Sequence, residues 1–238
     1  MEKVTVFASG TKTGGGKGFD KIAQACENGA VDFEIAAVVS NNQNGGVREK
    51  AEKWGIKFIY FPAPWTAGGY EKIIRESGAK WTALSGWLKY VPVRRLGFWW
   101  KMLRLFDLNL GVDPRYTINI HPALLSILDG QLGGKGMYGH FVHEAEAKLL
   151  AEGKLKEAGP TMHFVTAGYD RGPAFFEKRL PLLPGMSAET IGQQTNYAEH
   201  LYQAKITNMV VRGEIGWDGI HPESLWVPDD YKYFPRKD

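Results

Sequence analysis

Short apolar runs alternate with apolar residues at helical spacing through the first half of the chain. Lys3 to Ala8 reads as a buried strand. A glycine loop follows it, and then Ile22, Ala23 and Cys26 recur on one face of a helix from Phe19 to Asn28, stopped by Gly29. The pattern repeats with a strand at Phe33 to Ser40, a turn-rich loop at Asn41 to Gly46, a helix at Val47 to Trp54 and a strand at Lys57 to Phe61. Tyr70 to Ser77 predicts a third helix, Trp81 to Leu84 a fourth strand ending at Ser85-Gly86, and Thr117 to Ile120 a fifth. Such alternation predicts an α/β, Rossmann-like fold with a mostly parallel sheet and helices on both faces.

The second half has a different texture. Val142 to Glu152 reads as a helix, Thr161 to Val165 and Ala174 to Lys178 as strands around a Gly/Asp loop, and Ser187 to Val211 as a long helix with Ser187 at its N-cap and Gly213 past its end. Two strands joined in this way predict an antiparallel C-terminal extension of the sheet. In "VPVRRLGFWWKMLRLFDLNLGVDPRY", Trp99, Met102, Leu103 and Phe106 share a helical face while Arg94, Arg95, Lys101 and Arg104 lie elsewhere, the pattern of an amphipathic packing helix. These features divide the chain into one domain over residues 1–213 and a Pro-, Asp- and aromatic-rich tail over 214–238 that packs as a strap.

Composition narrows the function classes. The 238 residues are 44% hydrophobic and 23% charged, the balance of a globular protein. Their 29 basic and 26 acidic side chains, net +3, are spread too evenly to mark a nucleic-acid surface. Cys26 is the only cysteine, which excludes an internal disulfide and a four-thiolate metal site. The start Met-Glu-Lys runs straight into a strand, and no stretch approaches a membrane span, so a cytoplasmic protein without membrane or nucleic-acid partners is expected, as monomer or homodimer.

"ASGTKTGGGKGF", residues 8 to 19, carries the first candidate site. As a P-loop it fails twice, because Thr11 stands where the first glycine belongs and Gly18, rather than Ser or Thr, follows Lys17. As a dinucleotide fingerprint it has Gly14 and Gly16 but Phe19 at the third glycine, which argues against a nicotinamide-dependent dehydrogenase. Glycines that admit backbone amides, the charge of Lys17 and a helix starting near Phe19 still suit one phosphate, the alternative being a merely flexible loop.

"TINIHPALL", residues 117 to 125, places Asn119 and His121 on the same side of a strand that breaks at Pro122. "HFVTAGYDRGPAFF", residues 163 to 176, runs from a strand into a loop holding Asp170, which lies near His121 if the two strands are neighbours. The trio lacks a nucleophile of its own and so suits a substrate that brings one. For an amine attacking a carbonyl, Asn119 and a protonated His121 supply oxyanion donors and Asp170 takes the amine proton, directly or through water. The plainer alternatives are a satisfied Asn/His pair and an Asp-x-Gly turn. His140-x-x-His143 shares a helix face, but no carboxylate stands at a metal-ligand spacing, so no metal is expected.

On these motifs the chain resembles the formyltransferase family. "NIHPALL" is similar to its Asn-x-His-Pro-Ser/Ala-Leu-Leu, and "HFVTAGYDRGP" to its His-Phe-Val-Thr followed by Asp-x-Gly-Pro. "ASG", "VVSNN", "LSGWLKYV" and "GKGMYGHFVHEA" agree in order, over roughly residues 3–213. The resemblance is nearest to members that formylate glycinamide ribonucleotide in purine synthesis, with 10-formyltetrahydrofolate as co-substrate. It implies Asn119, His121 and Asp170 as catalytic residues. It places the folate against Trp87, Leu88, Lys89, Tyr90 and Val91 and against Val165, Thr166, Ala167 and Gly168. Gly16, Lys17 and Gly18 would then hold the acceptor's phosphate, and Glu199 its glycinamide end.

Departures from the family are the longer first loop, Lys89 in place of Arg, which loses the planar fork, and a longer stretch from Phe98 to Tyr116. A methionyl-tRNA formyltransferase is disfavoured, since only about 25 residues follow the long helix and no basic patch awaits tRNA. A sugar-nucleotide N-formyltransferase and a non-catalytic folate- or phosphate-binding protein remain as alternatives.

Overall fold

The computed structural model describes residues 1–97, 102 and 109–235. A seven-stranded sheet forms its centre, built from β1 (Glu2–Phe7), β2 (Phe33–Ser40), β3 (Phe58–Tyr60), β4 (Trp81–Ser85), β5 (Thr117–His121), β7 (Thr161–Phe164) and β8 (Ala174–Glu177). The spatial order is β3-β2-β1-β4-β5-β7-β8. The first five strands are parallel, whereas β7 runs antiparallel to β5 and β8 antiparallel to β7, as the sequence predicts.

Alternate residues of β1 serve opposite faces of the sheet. Val4 and Val6 pack with Phe19, Ile22 and Ala23 of α1 (Lys17–Glu27), with Val47 and Ala51 of α2 (Gly46–Lys53), and with Ile206 and Val210 of a long C-terminal helix. Phe7 packs on the other face with Tyr70 and Ile73 of α3 (Ala67–Ser77), Phe61 and Trp87. A third cluster joins the loop after β5, through Ala123, Leu124 and Leu132, to Val142 of α4 (His140–Ala151) and Ile191 of α5 (Ala188–Val211).

Several bounds differ from the sequence expectation for local reasons. α3 starts three residues before Tyr70 because Thr66 caps it, its Oγ1 accepting from Gly69 N at 3.1 Å. The pair Gly68-Gly69 hides this start from propensity, yet Gly69 is needed there, since a Cβ would stand 3.0 Å from the Phe61 ring. β6 (Glu157–Ala158) pairs with β9 (Leu180–Pro181) in a two-residue ladder too short to show a period. The amphipathic helix expected around Trp99, Leu103 and Phe106 falls outside the described residues. The chain on either side of it is clipped together by Val112 N to Pro92 O at 2.9 Å and Arg94 N to Val112 O at 3.0 Å, with Asp113 accepting from Arg94 and Arg115.

The chain after Gly213 returns to the outer strand. Gly216 bridges Trp226, and the rings of Tyr231 and Tyr233 extend over Tyr202 and Phe176. Glu177 N donates to Tyr233 O at 2.8 Å, so this segment covers part of the free edge of β8. No described helix is long and apolar enough to cross a membrane.

Candidate active site

Between β1 and β4 the strand order reverses direction, and the carboxyl ends of neighbouring strands part. Ligand crevices form at such switch points. Here a cleft of about 1200 Å³ opens, bounded by the loop after β1, the ends of β4 and β5, the loop after β7, and α4 and α5.

The register of β5 on β7 sets Asn119 directly opposite His163. Asn119 Nδ2 lies 3.1 Å from His163 Nε2 and donates to Asp170 Oδ1 at 3.4 Å. Gly134 N donates to Asp170 Oδ2 at 2.9 Å, and His121 Nδ1 lies 3.6 Å from that same oxygen. The three residues expected to form the trio are therefore brought together.

Carbonyl oxygens only accept, which fixes the histidine tautomers. His121 Nε2 donates to Leu132 O at 2.7 Å, leaving Nδ1 toward Asp170. His163 Nδ1 donates to Phe164 O at 2.8 Å, leaving Nε2 toward Asn119. His121 is 4% exposed, and burial lowers its pKa despite the opposing charge of Asp170. Burial would raise Asp170, but contact with the His163 ring, the positive charge His121 and His163 carry when protonated, and the Gly134 amide outweigh it and hold the carboxyl at about 2.

Asp170 adopts φ 52°, a left-handed conformation that a non-glycine residue holds only under constraint. Gly172 shows where the constraint comes from. Any Cβ there would stand 1.7 Å from Phe164 O, so the loop returns against β7 at its closest approach and turns the Asp170 carboxylate toward Gly134 and Asn119.

On one flank of the trio the glycine loop is ordered as a small hairpin, Thr11 N donating to Gly14 O at 2.9 Å. Gly16 caps α1 in the left-handed region with no side-chain cap, so the first amides of α1 have no side-chain acceptor. A Cβ on Gly18 would meet Ser85 Oγ at 2.2 Å, and Ser85 itself donates to Gln203 Oε1 at 2.9 Å, so the helix start is seated against β4 and α5. Gly16, Lys17, Gly18 and Glu199 all line the cleft. Glu199 is half-buried on α5, and burial pushes its carboxyl up to about 8. His200 also lines the cleft, and burial with the charges of Lys17 and Lys21 lowers its pKa.

On the other flank Trp87, Leu88, Lys89, Tyr90, Val91, Val165, Thr166 and Gly168 line the cleft. Ala167 differs: its carbonyl accepts from Tyr90 OH at 3.2 Å, and Ala167 is not part of the cleft wall. Trp87 belongs chiefly to the core, donating Nε1 to Tyr70 OH at 2.8 Å. Lys89 Nζ stands 4.6 Å from the Trp65 ring, and Tyr90 faces Tyr169 at 5.2 Å.

Sequence reasoning passed over three features here. His163 stands out in the sequence only as part of a motif, although its place opposite Asn119 follows once the two strands pair antiparallel. Gly134 gave no signal, since its role is a backbone amide. His143 has a carboxylate partner, Glu146 Oε2 at 2.9 Å from Nδ1, one turn along α4. Among the described residues no group of three or more His, Cys, Asp and Glu side chains is placed to hold a metal.

An Asn/His pair at a strand end, facing an ionised Asp in a Rossmann-like cleft, can stabilise an oxyanion while a substrate supplies the nucleophile. The family model described as formyl transferase matches residues 104–207, the stretch that carries Asn119, His121, His163, Asp170 and Glu199. The chain is 28% identical over 240 residues to a chloroplastic phosphoribosylglycinamide formyltransferase of Arabidopsis thaliana, covering 97% of this chain and 73% of the relative. Against the one from Vigna unguiculata it is 30% identical over 227 residues, covering 92% of this chain and 64% of the relative. In fold it is similar to glycinamide ribonucleotide transformylase 1 from Symbiobacterium toebii, with TM-score 0.72 and 24% identity over 96% of this chain and 95% of that one.

Proposed function

We propose that this protein transfers a formyl group from 10-formyltetrahydrofolate to the amino group of glycinamide ribonucleotide, giving formylglycinamide ribonucleotide and tetrahydrofolate. The observation that carries the reading is the meeting of Asn119, His121 and Asp170 between a bare helix start on one flank and an aromatic rim on the other. Each flank suits one substrate. Uncapped amides of α1 and Lys17 fit the acceptor's phosphate, and Glu199 fits its amine. Leu88 to Val91 and Val165 to Gly168 fit the folate, the ring lying between apolar surfaces with backbone groups at its edge.

The attacking amine adds to the formyl carbon, and negative charge develops on the formyl oxygen. Asn119 Nδ2 is a fixed donor for it. Protonated at Nδ1, His121 would be held by Asp170, whose carboxylate stays ionised throughout the neutral range and stabilises the imidazolium. Collapse of the tetrahedral adduct breaks the bond to the folate nitrogen, which takes up a proton and leaves.

Residues 1–213 would carry this chemistry, with 214–238 as a structural tail. A lone Cys26 fits a reducing cytoplasm, the compartment proposed here, whereas both plant relatives are described as chloroplastic. The deciding experiment measures tetrahydrofolate release with glycinamide ribonucleotide as acceptor, in competition with nucleotide sugars. Release that depends on the ribonucleotide is expected, and none from folded protein, or release driven by the nucleotide sugar, refutes the assignment.

A further inference from the structure

Formyl transfer removes a proton from the attacking amine and delivers one to the departing folate nitrogen, so the first event calls for a base in the cleft. Around the trio most polar atoms are already committed. His121 uses Nε2 on Leu132 O and turns Nδ1 to Asp170, and His163 uses Nδ1 on Phe164 O and turns Nε2 to Asn119 and Asp170. Asp170 accepts from Gly134 N and Asn119, and a carboxyl held at about 2 is a weak base at neutral pH.

His143 is differently placed. It lines the same cleft from α4, packed under α5 so closely that a Cβ on Gly192 would stand 2.8 Å from its ring. Its charge acts on His121, which puts the two rings within electrostatic reach. Nδ1 is bonded to Glu146 Oε2 at 2.9 Å, while Nε2 has no partner among the described residues. Glu146 is fully buried and its other oxygen, Oε1, is unpaired, so the carboxyl serves His143 alone. A carboxyl fixing one ring nitrogen of a histidine that lines a cleft, the other ring nitrogen being left without a partner, is the arrangement of an oriented general base. The other cleft histidines lack it. His140 is exposed and stacked on Phe141 at 4.0 Å, and His200 sits by Lys17 and Lys21 at the anion end.

We propose that His143, oriented by Glu146, accepts the proton of the attacking amine through a bridging water. The inference rests on the formyl-transfer reading. As the new bond from amine nitrogen to formyl carbon forms, the amine proton passes through water to Nε2. The bond between formyl carbon and folate nitrogen then breaks, that nitrogen takes up a proton from water, and His143 returns its own to water, so none is gained or lost overall.

The test compares wild type with His143→Ala, His143→Gln and Glu146→Gln, following kcat, both KM values, thermal unfolding and rescue by added imidazole. His143→Ala is expected to lower kcat on the order of 100-fold with each KM within about threefold, and imidazole to restore at least about tenfold. Glu146→Gln should lower kcat about tenfold. A kcat for His143→Ala within about threefold of wild type overturns the proposal. So does a loss that imidazole does not restore and that tracks weaker ligand binding, which would mark a packing role. Should His143→Ala not fold, His143→Gln and Glu146→Gln decide, and unchanged kcat in both overturns it. Wild type lacking acceptor-dependent transfer would instead refute the functional reading.

Discussion

On the glycine-loop flank of the cleft, where we propose the acceptor binds, the surface is mostly main chain: Gly10 to Gly18, the bare amides of α1, and glycines seated where no side chain fits. At the antiparallel seam it is mostly side chain, with Asn119, His121, His163 and Asp170 packed into one polar network. The difference follows from topology. Parallel strands end in loops that lead into helix starts, which offer amides to anions without any particular residue. An antiparallel pair faces side chains directly across the ladder, so β5 and β7 can hold a reactive pair in register. Binding on the first flank should therefore fail through shape, and chemistry at the second through single atoms.

The largest expected effect tests the second half of that contrast. Asp170→Asn keeps the shape and the φ of 52°, which Asn tolerates, but removes the charge that His121 and His163 face. We expect kcat to fall on the order of 1000-fold with acceptor KM changed less than about threefold. Steady-state kinetics checks it, and near-normal turnover would remove Asp170 from the chemistry. Next comes Gly18→Ala, whose Cβ would lie 2.2 Å from Ser85 Oγ and 3.1 Å from Gln203 Oε1. Displacing the start of α1 should raise acceptor KM on the order of 30-fold, a few kcal/mol at most, while folate binding stays within about twofold. Equal weakening of both ligands would mean that the flanks are not separate.

How far each flank was legible in the sequence follows the same contrast. Phe33 to Ser40 was read with its observed bounds because buried parallel strands are continuous apolar runs. The meeting of Asn119, His121 and Asp170 is legible because two of them stand two apart on one apolar strand and the third follows its antiparallel neighbour. The Gly134 amide that orients Asp170 was not, since a backbone donor leaves no residue signature. Nor was the pairing of His143 with Glu146: the motif His-x-x-His drew attention to a metal, while the carboxylate that matters stands three residues further on, inside an ordinary helical pattern. The hydrogen bond from Tyr90 OH to the Ala167 carbonyl is likewise a backbone contact with no residue signature.

A smaller effect concerns charge at the acceptor flank. Burial holds the Glu199 carboxyl at about 8, so below that pH the free protein carries it protonated. An ammonium acceptor stabilises the carboxylate and lowers that value, so binding near pH 7 should release a proton, and affinity should rise as pH increases toward 8. Calorimetry in two buffers of different ionisation enthalpy measures the release. Glu199→Gln is expected to abolish this release and to weaken acceptor binding about tenfold, and release that persists in the variant would put the titrating group elsewhere.

The smallest effect compares two helix starts. α5 is closed by its own side chain, Ser187 Oγ accepting from Thr190 N at 3.2 Å, whereas α1 starts at Gly16 with no side-chain cap. Ser187→Ala should cost about 1 kcal/mol of stability and leave turnover unchanged, because a permanent cap is a folding contact only. Inorganic phosphate should raise the unfolding temperature of wild type and of Ser187→Ala by equal amounts, since the anion completes α1 and not α5. In Gly18→Ala that rise should disappear. A phosphate effect that is lost with Ser187 and kept in Gly18→Ala would move the anion to the other helix and separate it from the reacting amine.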